Sequence, residues 1–507
     1  MKIEKDELPI SKTIGHEVMG NMEVDLERAL EICGAGKYQV FHCALMVAIL
    51  GASMLEIIGY SFILPAAACD LDISDSLRGV ITSIPNIGII ITAPFWGRAA
   101  DALGRKPVLL FSTAASGVIG LLAAFMPGLL SFALVKFAGS LFLSCPSSLG
   151  FAYTGELMPQ KRRDLALLIC NALLMLFASL CPIFAWGVLA YDWHDAISLR
   201  PWRVLTAVYA SPLILAALWL TQAKESPKFL IAKNKPQKAL EVLRHIYSMN
   251  SGCPKENYCV TSLKNYIEDS EKPIENENCT FSDKLRKGPT FALLRPPHLQ
   301  WLALIGFLMF GLFSLLNGLF LFAPNTINKA MMSPDEPMTI CMLMDMPENQ
   351  TESATCVDSI SYGTFQITVV ASLIYGTLVM LISLSPINKK TLLIGMYALV
   401  GGSCFTSAMT SNRIVAGVSM SALQITALGI GPLTAYTVEL FPTNLRGTAV
   451  GAVLMFGRVG SVVGANASGM FLAQACTLTF FMFAALLFFC AGLSFLLPKD
   501  QTLTNNR

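Results

Sequence analysis

Three ionisable side chains fall inside long apolar runs of this chain: Glu56, Lys136 and Arg458. At the centre of a membrane helix each costs about 2.5–3.5 kcal/mol on the insertion scale, so each should face other protein or water. A carboxylate such as Glu56 can accept a coupling proton or pair with an organic cation. Arg458 can bind an anionic group or neutralise Glu56. A static interhelical ion pair accounts for the same residues without function, and the long stem of Lys136 can snorkel to an interface. Asn317 joins these three as a candidate for the solute or proton path, although interhelical hydrogen bonding explains a buried amide equally well.

A second set of charges sits at the ends of apolar runs. Gly97-Arg-Ala-Ala-Asp101-Ala-Leu-Gly104-Arg105-Lys106 joins two of them, and Gly104 permits a tight turn there. Asp101 can lie at a helix N-terminus, where the dipole favours a carboxylate. Arg105 can pair with Glu156, in Ala152-Tyr-Thr-Gly-Glu-Leu-Met-Pro-Gln-Lys-Arg-Arg163. That segment returns as Ala435-Tyr-Thr-Val-Glu-Leu-Phe-Pro-Thr-Asn-Leu-Arg446, identical at seven of twelve positions, and the first loop returns as Ser385-Pro-Ile-Asn-Lys389-Lys390-Thr391. Two pairs in register make the chain a duplicated membrane unit, and such proteins are mostly transporters with the path between the halves. The motif charges, Glu439 and Arg446 included, then read as gates that hold one conformation and release it in the other.

The elements that must position these residues follow from composition. Of 507 residues 54% are hydrophobic and 14% charged, with mean hydropathy +0.58, far from the roughly 25% charge of a soluble domain. Apolar runs lie near 41–66, 79–97, 107–127, 130–152, 165–190, 203–222, 299–323, 362–384, 391–411, 414–436, 448–473 and 476–497. Each is about long enough to span ~30 Å of hydrocarbon. The chain is all-α, a twelve-helix membrane bundle in two sixes. Its expected parts are an N-terminus (1–40), a six-helix bundle (41–222), a linker (223–298), a second bundle (299–497) and a tail (498–507). The first forty residues lack the apolar core of a signal peptide, so the first helix serves as internal signal. Positive charge in the short loops puts both termini and the linker in the cytosol. Within the linker, Phe229, Leu230, Ala239, Leu240, Leu243 and Ile246 alternate with basic residues as in an amphipathic helix bracing the halves.

The outer 324–361 loop carries the sequon Asn349-Gln-Thr351 between Cys341 and Cys356. Asn349 is the expected glycosylation site, and the two cysteines are the expected disulfide of an oxidising compartment. In the run near 448–473, Gly457, Gly460 and Gly464 read as close-packing positions, and Pro432 in the run near 414–436 reads as a kink. No phosphate loop, metal-ligand cluster or nucleophile constellation is present, so catalysis, cofactors and direct ATP drive are not expected. Net charge +2 is too small to argue for nucleic acid.

The chain resembles the major facilitator superfamily over nearly its whole length, residues 97–106 matching that superfamily's loop motif. Within it, the chain is similar to the synaptic vesicle glycoprotein 2 and organic-ion transporter branch. The segments that carry this are Glu56-Ile-Ile-Gly-Tyr-Ser-Phe-Ile-Leu-Pro65, Trp96–Lys106, Pro201-Trp-Arg203, Glu225-Ser-Pro-Lys-Phe-Leu230 and Gly318-Leu-Phe-Leu-Phe-Ala-Pro324. The resemblance implies a 6+6 fold with a central cavity, alternating access, and gating roles for Asp101, Gly104, Arg105, Glu156 and Arg163. Ser385 and Asn388 depart from the acid and glycine of the loop motif, which predicts a weaker second gate. Ser53 stands where the vesicle branch has an acid, and Lys136 where the superfamily often has Arg.

Two functions fit. One is a secondary-active carrier of a small organic, ionic solute, with a proton as a candidate coupling ion. The alternative is a transporter-like vesicle or membrane glycoprotein that acts through partner binding. The expected partners are the bilayer, the solute and protons, no oligomer is required, and the host membrane is the plasma membrane or an intracellular vesicle.

Overall fold

A computed structural model describes residues 22–191, 199–263, 293, 295–296, 298–332, 338–344, 360–385, 387–442, 445–472 and 474–498. Asn349 and Cys356 lie outside the described residues. Twelve helical spans are long and apolar enough to cross a membrane, from Lys37–Ala66 to Cys476–Ser494, and each expected run falls on one of them. Helices dominate because hydrocarbon offers no partner for backbone N–H and C=O groups, which must be satisfied within the segment.

The first six spans are α2 (Lys37–Ile58) with α3 (Tyr60–Ala66), α4 (Asp75–Leu103), α5 (Arg105–Ala123), α6 (Leu129–Leu157), α7 (Gln160–Ala178) with α8 (Leu180–Leu189), and α9 (Pro201–Leu220). Preceding them are β1 (Met22–Val24) and α1 (Leu26–Cys33). Between the halves come α10 (Pro227–Ala232), α11 (Pro236–Ser251) and β2 (Val260–Leu263). The second six comprise α12 (His298–Asn317) with α13 (Leu319–Met332), α15 (Tyr362–Ser383), α16 (Lys389–Met409), α17 (Arg413–Ser421) with α18 (Ile430–Leu440), α19 (Arg446–Phe471) and α20 (Cys476–Ser494); the short α14 (Ile340–Met344) precedes α15.

Several spans are interrupted. Between α17 and α18, Ala422–Gly429 winds as a 3₁₀ helix. Pro432 lacks the N–H that would bond the carbonyl of Leu428, so the preceding turn tightens to the shorter pattern. The glycines of α19 serve close approach: a Cβ on Gly464 would sit 2.0 Å from the Ser314 carbonyl oxygen, and one on Gly460 2.3 Å from that of Phe310. Ser314 Oγ donates to the Gly460 carbonyl at 3.0 Å across the same seam.

The end of the bundle that carries the linker is capped. β1 pairs in parallel with β2, and Ala29, Leu30 and Cys33 of α1 share a core with Leu240, Leu243 and Ile246 of α11. Asn250 ties the corner: its amide donates to the carbonyls of Cys33 and Gly34 and to Gln39, and its oxygen accepts from Tyr38 N. The apolar stripe expected in the linker is therefore buried, but its core is drawn from the N-terminal residues and the first half, so it caps that half where a brace between the two was expected. Strand β2 forms in a stretch whose polar composition gave no sign of it.

At the opposite end a disulfide joins Cys341 of α14 to Cys476, the first residue of α20. This corrects the expected Cys341–Cys356 pairing: α14 packs onto the start of α20, and Cys341 takes the sulfur that packing brings to it, not the nearest in sequence. Cys69 is also disulfide-bonded.

Candidate functional site

The helices bring Glu56 of α2 and Lys136 of α6 together inside the first half. Lys136 Nζ lies 2.5 Å from Glu56 Oε1, with both side chains less than a tenth exposed. The ammonium also lies 5.3 Å from the Tyr60 ring centroid and 5.9 Å from that of Phe132. Glu56 Oε2 is buried without a hydrogen-bond partner among the described residues. Lys136 thus faces the bundle and does not snorkel, and Glu56 takes its counter-charge from Lys136 and not from Arg458.

Arg458 of α19 instead reaches across to the first half. Its Nη1 donates to Asn86 Oδ1 of α4 at 2.9 Å, and its guanidinium lies 5.6 Å from the centroid of Phe313. Asn86 is fully buried and donates to Asn317 Oδ1 at 3.4 Å, while Asn317 Nδ2 donates to Ser461 Oγ at 2.9 Å. One polar chain, Arg458–Asn86–Asn317–Ser461, therefore bridges the halves at mid-span. Among the described residues no carboxylate comes within ion-pair distance of Arg458. Asn86 and Ser461 were not singled out from sequence, where nothing distinguishes them from other polar residues in apolar runs. Asn466, by contrast, only returns a hydrogen bond to Val462 of its own helix.

Two further contacts between the halves lie at the same depth or nearer the disulfide end. Ser179 Oγ donates to the Ser372 carbonyl at 2.8 Å. Gly79 faces the backbone of Ala465 and Gly469, where an added Cβ would lie 2.6 Å from a carbonyl oxygen.

At the linker end the first motif forms a compact charge cluster. Arg105 pairs with Glu156 through Nη2 at 3.1 Å and with Asp101 through Nη1 at 2.9 Å, and its guanidinium lies 5.4 Å from the Phe229 ring centroid. Gly104 has φ +117, a region that penalises any side chain, and a Cβ there would meet Glu225 Oε2 at 2.5 Å. Glu225 caps α5: it accepts from the backbone N–H groups of Arg105 at 3.1 Å and Lys106 at 3.2 Å. Burial pushes its carboxyl above the usual range, ahead of the opposing effect of these hydrogen bonds. Lys106 Nζ donates to the Thr221 carbonyl. Gly97 lies within α4 with open space beside it. Arg163 is held by the N-terminal cap, its Nη2 2.8 Å from Glu27 Oε1, and Lys161 pairs with Glu31 at 3.2 Å.

The second motif keeps part of this arrangement. Lys389 pairs with Glu439, Lys390 Nζ donates to the carbonyls of Phe495 and Leu497, and Arg446 Nε donates to the Phe441 carbonyl. One lysine thus stands where the first half uses an arginine with two carboxylates. Glu27 and Glu225, which complete the first cluster, lie far from it in sequence; Glu225 opens one of the segments that carry the resemblance, whereas Glu27 carries no local signal.

The Major Facilitator Superfamily model matches residues 42–465. Synaptic vesicle glycoprotein 2A of Rattus norvegicus is 28% identical over 253 residues, covering 48% of this chain and 34% of that protein. Synaptic vesicle glycoprotein 2C of the same organism is 28% identical over 246 residues, 47% and 34% of the two chains. The chain thus aligns with about a third of the length of these curated relatives. Among solved structures, the partially occluded inward-open xylose transporter XylE from E. coli superposes with TM-score 0.61 at 16% identity, covering 90% of this chain and 99% of that one. Its inward-open form gives TM-score 0.61 at 14% identity, covering 91% and 97%. The match across most of the length, together with the twelve spans in two sixes, makes this chain a multi-pass membrane protein that belongs to the major facilitator superfamily.

Proposed function

We propose that the protein is a secondary-active carrier of a small organic anion, working by alternating access with Glu56–Lys136 as its proton-responsive pair. The observation that carries the reading is Arg458: a guanidinium at mid-span, on the seam between halves, with no carboxylate partner among the described residues. An uncompensated charge at that depth is costly, and an anionic solute would offset it. A cation has less to bind, because the buried carboxylate of Glu56 is already matched by Lys136. The free Oε2 of Glu56 is where a proton would land, cancelling the charge that holds Lys136.

Orientation supports the same picture. Disulfides persist in oxidising compartments, which supports an extracytosolic Cys341–Cys476 end and a cytosolic basic, capped end. The hydrogen bonds between halves, at mid-span or nearer the disulfide end, support a conformation closed toward the outside.

Uptake into proteoliposomes of purified protein tests the proposal, using labelled organic anions, cations and neutral solutes with and without an inward proton gradient. Saturable anion uptake that accelerates with the gradient is expected. Uptake of cations alone would overturn the anion assignment. Folded protein that transports no class would favour the partner-binding glycoprotein.

A further inference from the structure

On the outer face of the first half, α4 and α5 diverge over α6 and leave an apolar groove of about 500 Å³. Its walls include Phe95, Leu103 and Phe111, which are 61%, 70% and 60% exposed. Its base is aromatic: the Trp96 ring centroid lies 5.8 Å from that of Phe142. The polar groups that border it are satisfied internally. Trp96 Nε1 and Thr92 Oγ1 both donate to the Leu141 carbonyl, at 2.6 and 2.9 Å. A site with no free donor or acceptor suits hydrocarbon and rejects polar ligands.

Position and charge select the hydrocarbon. The groove lies in the last turns of one span and the first of the next, so it opens into the leaflet on the linker side. Arg98, one turn from Phe95, is exposed and makes no ion pair among the described residues. Lys106 adjoins Pro107 at the mouth. Basic residues at this depth attract anionic head groups. We propose that the groove holds an acyl chain of an anionic phospholipid, whose head group is held by Arg98. The bound lipid then lies against the α4–α5 turn that carries Asp101, Gly104 and Arg105, and wedges it from the membrane side.

Trp96 supplies the readout. Full-length protein is reconstituted with phosphatidylglycerol or phosphatidylcholine carrying dibrominated acyl chains, and tryptophan quenching is followed against brominated mole fraction. A component of the fluorescence should quench at an about five-fold lower fraction of the anionic lipid, the discrimination one basic residue gives at an anionic head group. That component should be absent in Trp96→Phe, and Arg98→Gln should bring the two lipids to the same curve. Equal curves for both lipids in the natural protein, or an unchanged component in Trp96→Phe, would overturn the proposal. Native mass spectrometry of unmodified protein gives a second reading free of any tryptophan substitution. Retained phosphatidylglycerol in excess of phosphatidylcholine, lost in Arg98→Gln, supports the site. Displacement of the lipid by a sterol would assign the groove to a different occupant and sink the anionic assignment.

Discussion

Lys136 and Glu56, eighty positions apart in sequence, meet as an ion pair with only 2% and 8% of their side chains exposed. Either charge is costly in this bundle without the other. Removing one partner of a buried pair leaves an uncompensated charge and costs about 3–5 kcal/mol, whereas replacing both by apolar or neutral groups of similar volume is often close to neutral. Glu56→Gln and Lys136→Met should each lower thermal stability in detergent markedly, and the double variant should regain most of the loss. In transport, the Glu56→Gln protein should lose the pH dependence of uptake. A retained pH dependence would move the proton site elsewhere.

Arg458→Gln keeps a donor for Asn86 but discards the charge. A hydrogen bond to a charged group contributes about 1.5–3 kcal/mol, so KM for an anionic solute should rise by about ten- to a hundred-fold. Arg458→Lys should fall between, since an ammonium supplies charge without the planar fork. Asn86→Ala should raise KM by a smaller factor, because it disturbs the orientation of the guanidinium and not its charge. Equal affinity in Arg458→Gln would remove the residue from the solute path.

The legibility of this molecule divides by the range of the interaction. Twelve spans and the amphipathic stripe of the linker were readable because each is written in twenty or so consecutive residues, and the two halves because their motifs repeat. The Arg105–Glu156 contact was readable because both ends belong to repeated motifs. What sequence could not give is which distant side chains share a site. Glu56 had two candidate cations, Lys136 and Arg458, and only packing decides between them. Asn86 looked like any polar residue in an apolar run until α4 met α19. Glu27 lies in a segment with no motif, yet it holds Arg163.

The disulfide illustrates the same limit and is open to test. Cys341 and Cys476 are 135 residues apart, so linking them restricts the unfolded chain strongly, by about 2–4 kcal/mol for a typical disulfide. Cys341→Ser should lower thermal stability and expose one new thiol at Cys476, whereas Cys356→Ser should leave Cys476 unreactive. Because Cys476 is buried, its new thiol in Cys341→Ser should be labelled by maleimide once the protein is denatured under non-reducing conditions. Labelling of Cys476 in Cys356→Ser would restore the pairing with Cys356.

Arg105 holds two carboxylates from different helices, Asp101 of α4 and Glu156 of α6. Only the Glu156 contact is sheltered, since Asp101 is 74% exposed and an exposed pair contributes about 0–1 kcal/mol. Glu156→Gln should therefore slow uptake much more than Asp101→Asn, and Arg105→Ala should arrest cycling while solute binding stays measurable. Unchanged uptake in Arg105→Ala would refute a gating role.

Glu225 gives a pH signature at the same gate. Its carboxyl is buried against the α5 N-terminus, and that burial raises its pKa above the usual 4.5. A carboxyl with a raised folded-state pKa favours the folded protein most when protonated. Its contribution is thus complete below about pH 4.5 and is lost as pH rises through the raised value. Glu225→Gln stays neutral throughout and keeps a side-chain oxygen to accept from Arg105 N and Lys106 N. The variant should show a flatter dependence of Tm on pH across that window and should be at least as stable as the natural protein above it. If instead Glu225→Gln is destabilised at neutral pH and the slope is unchanged, the ionised carboxylate is the form the cap needs, and its hydrogen bonds outweigh its desolvation.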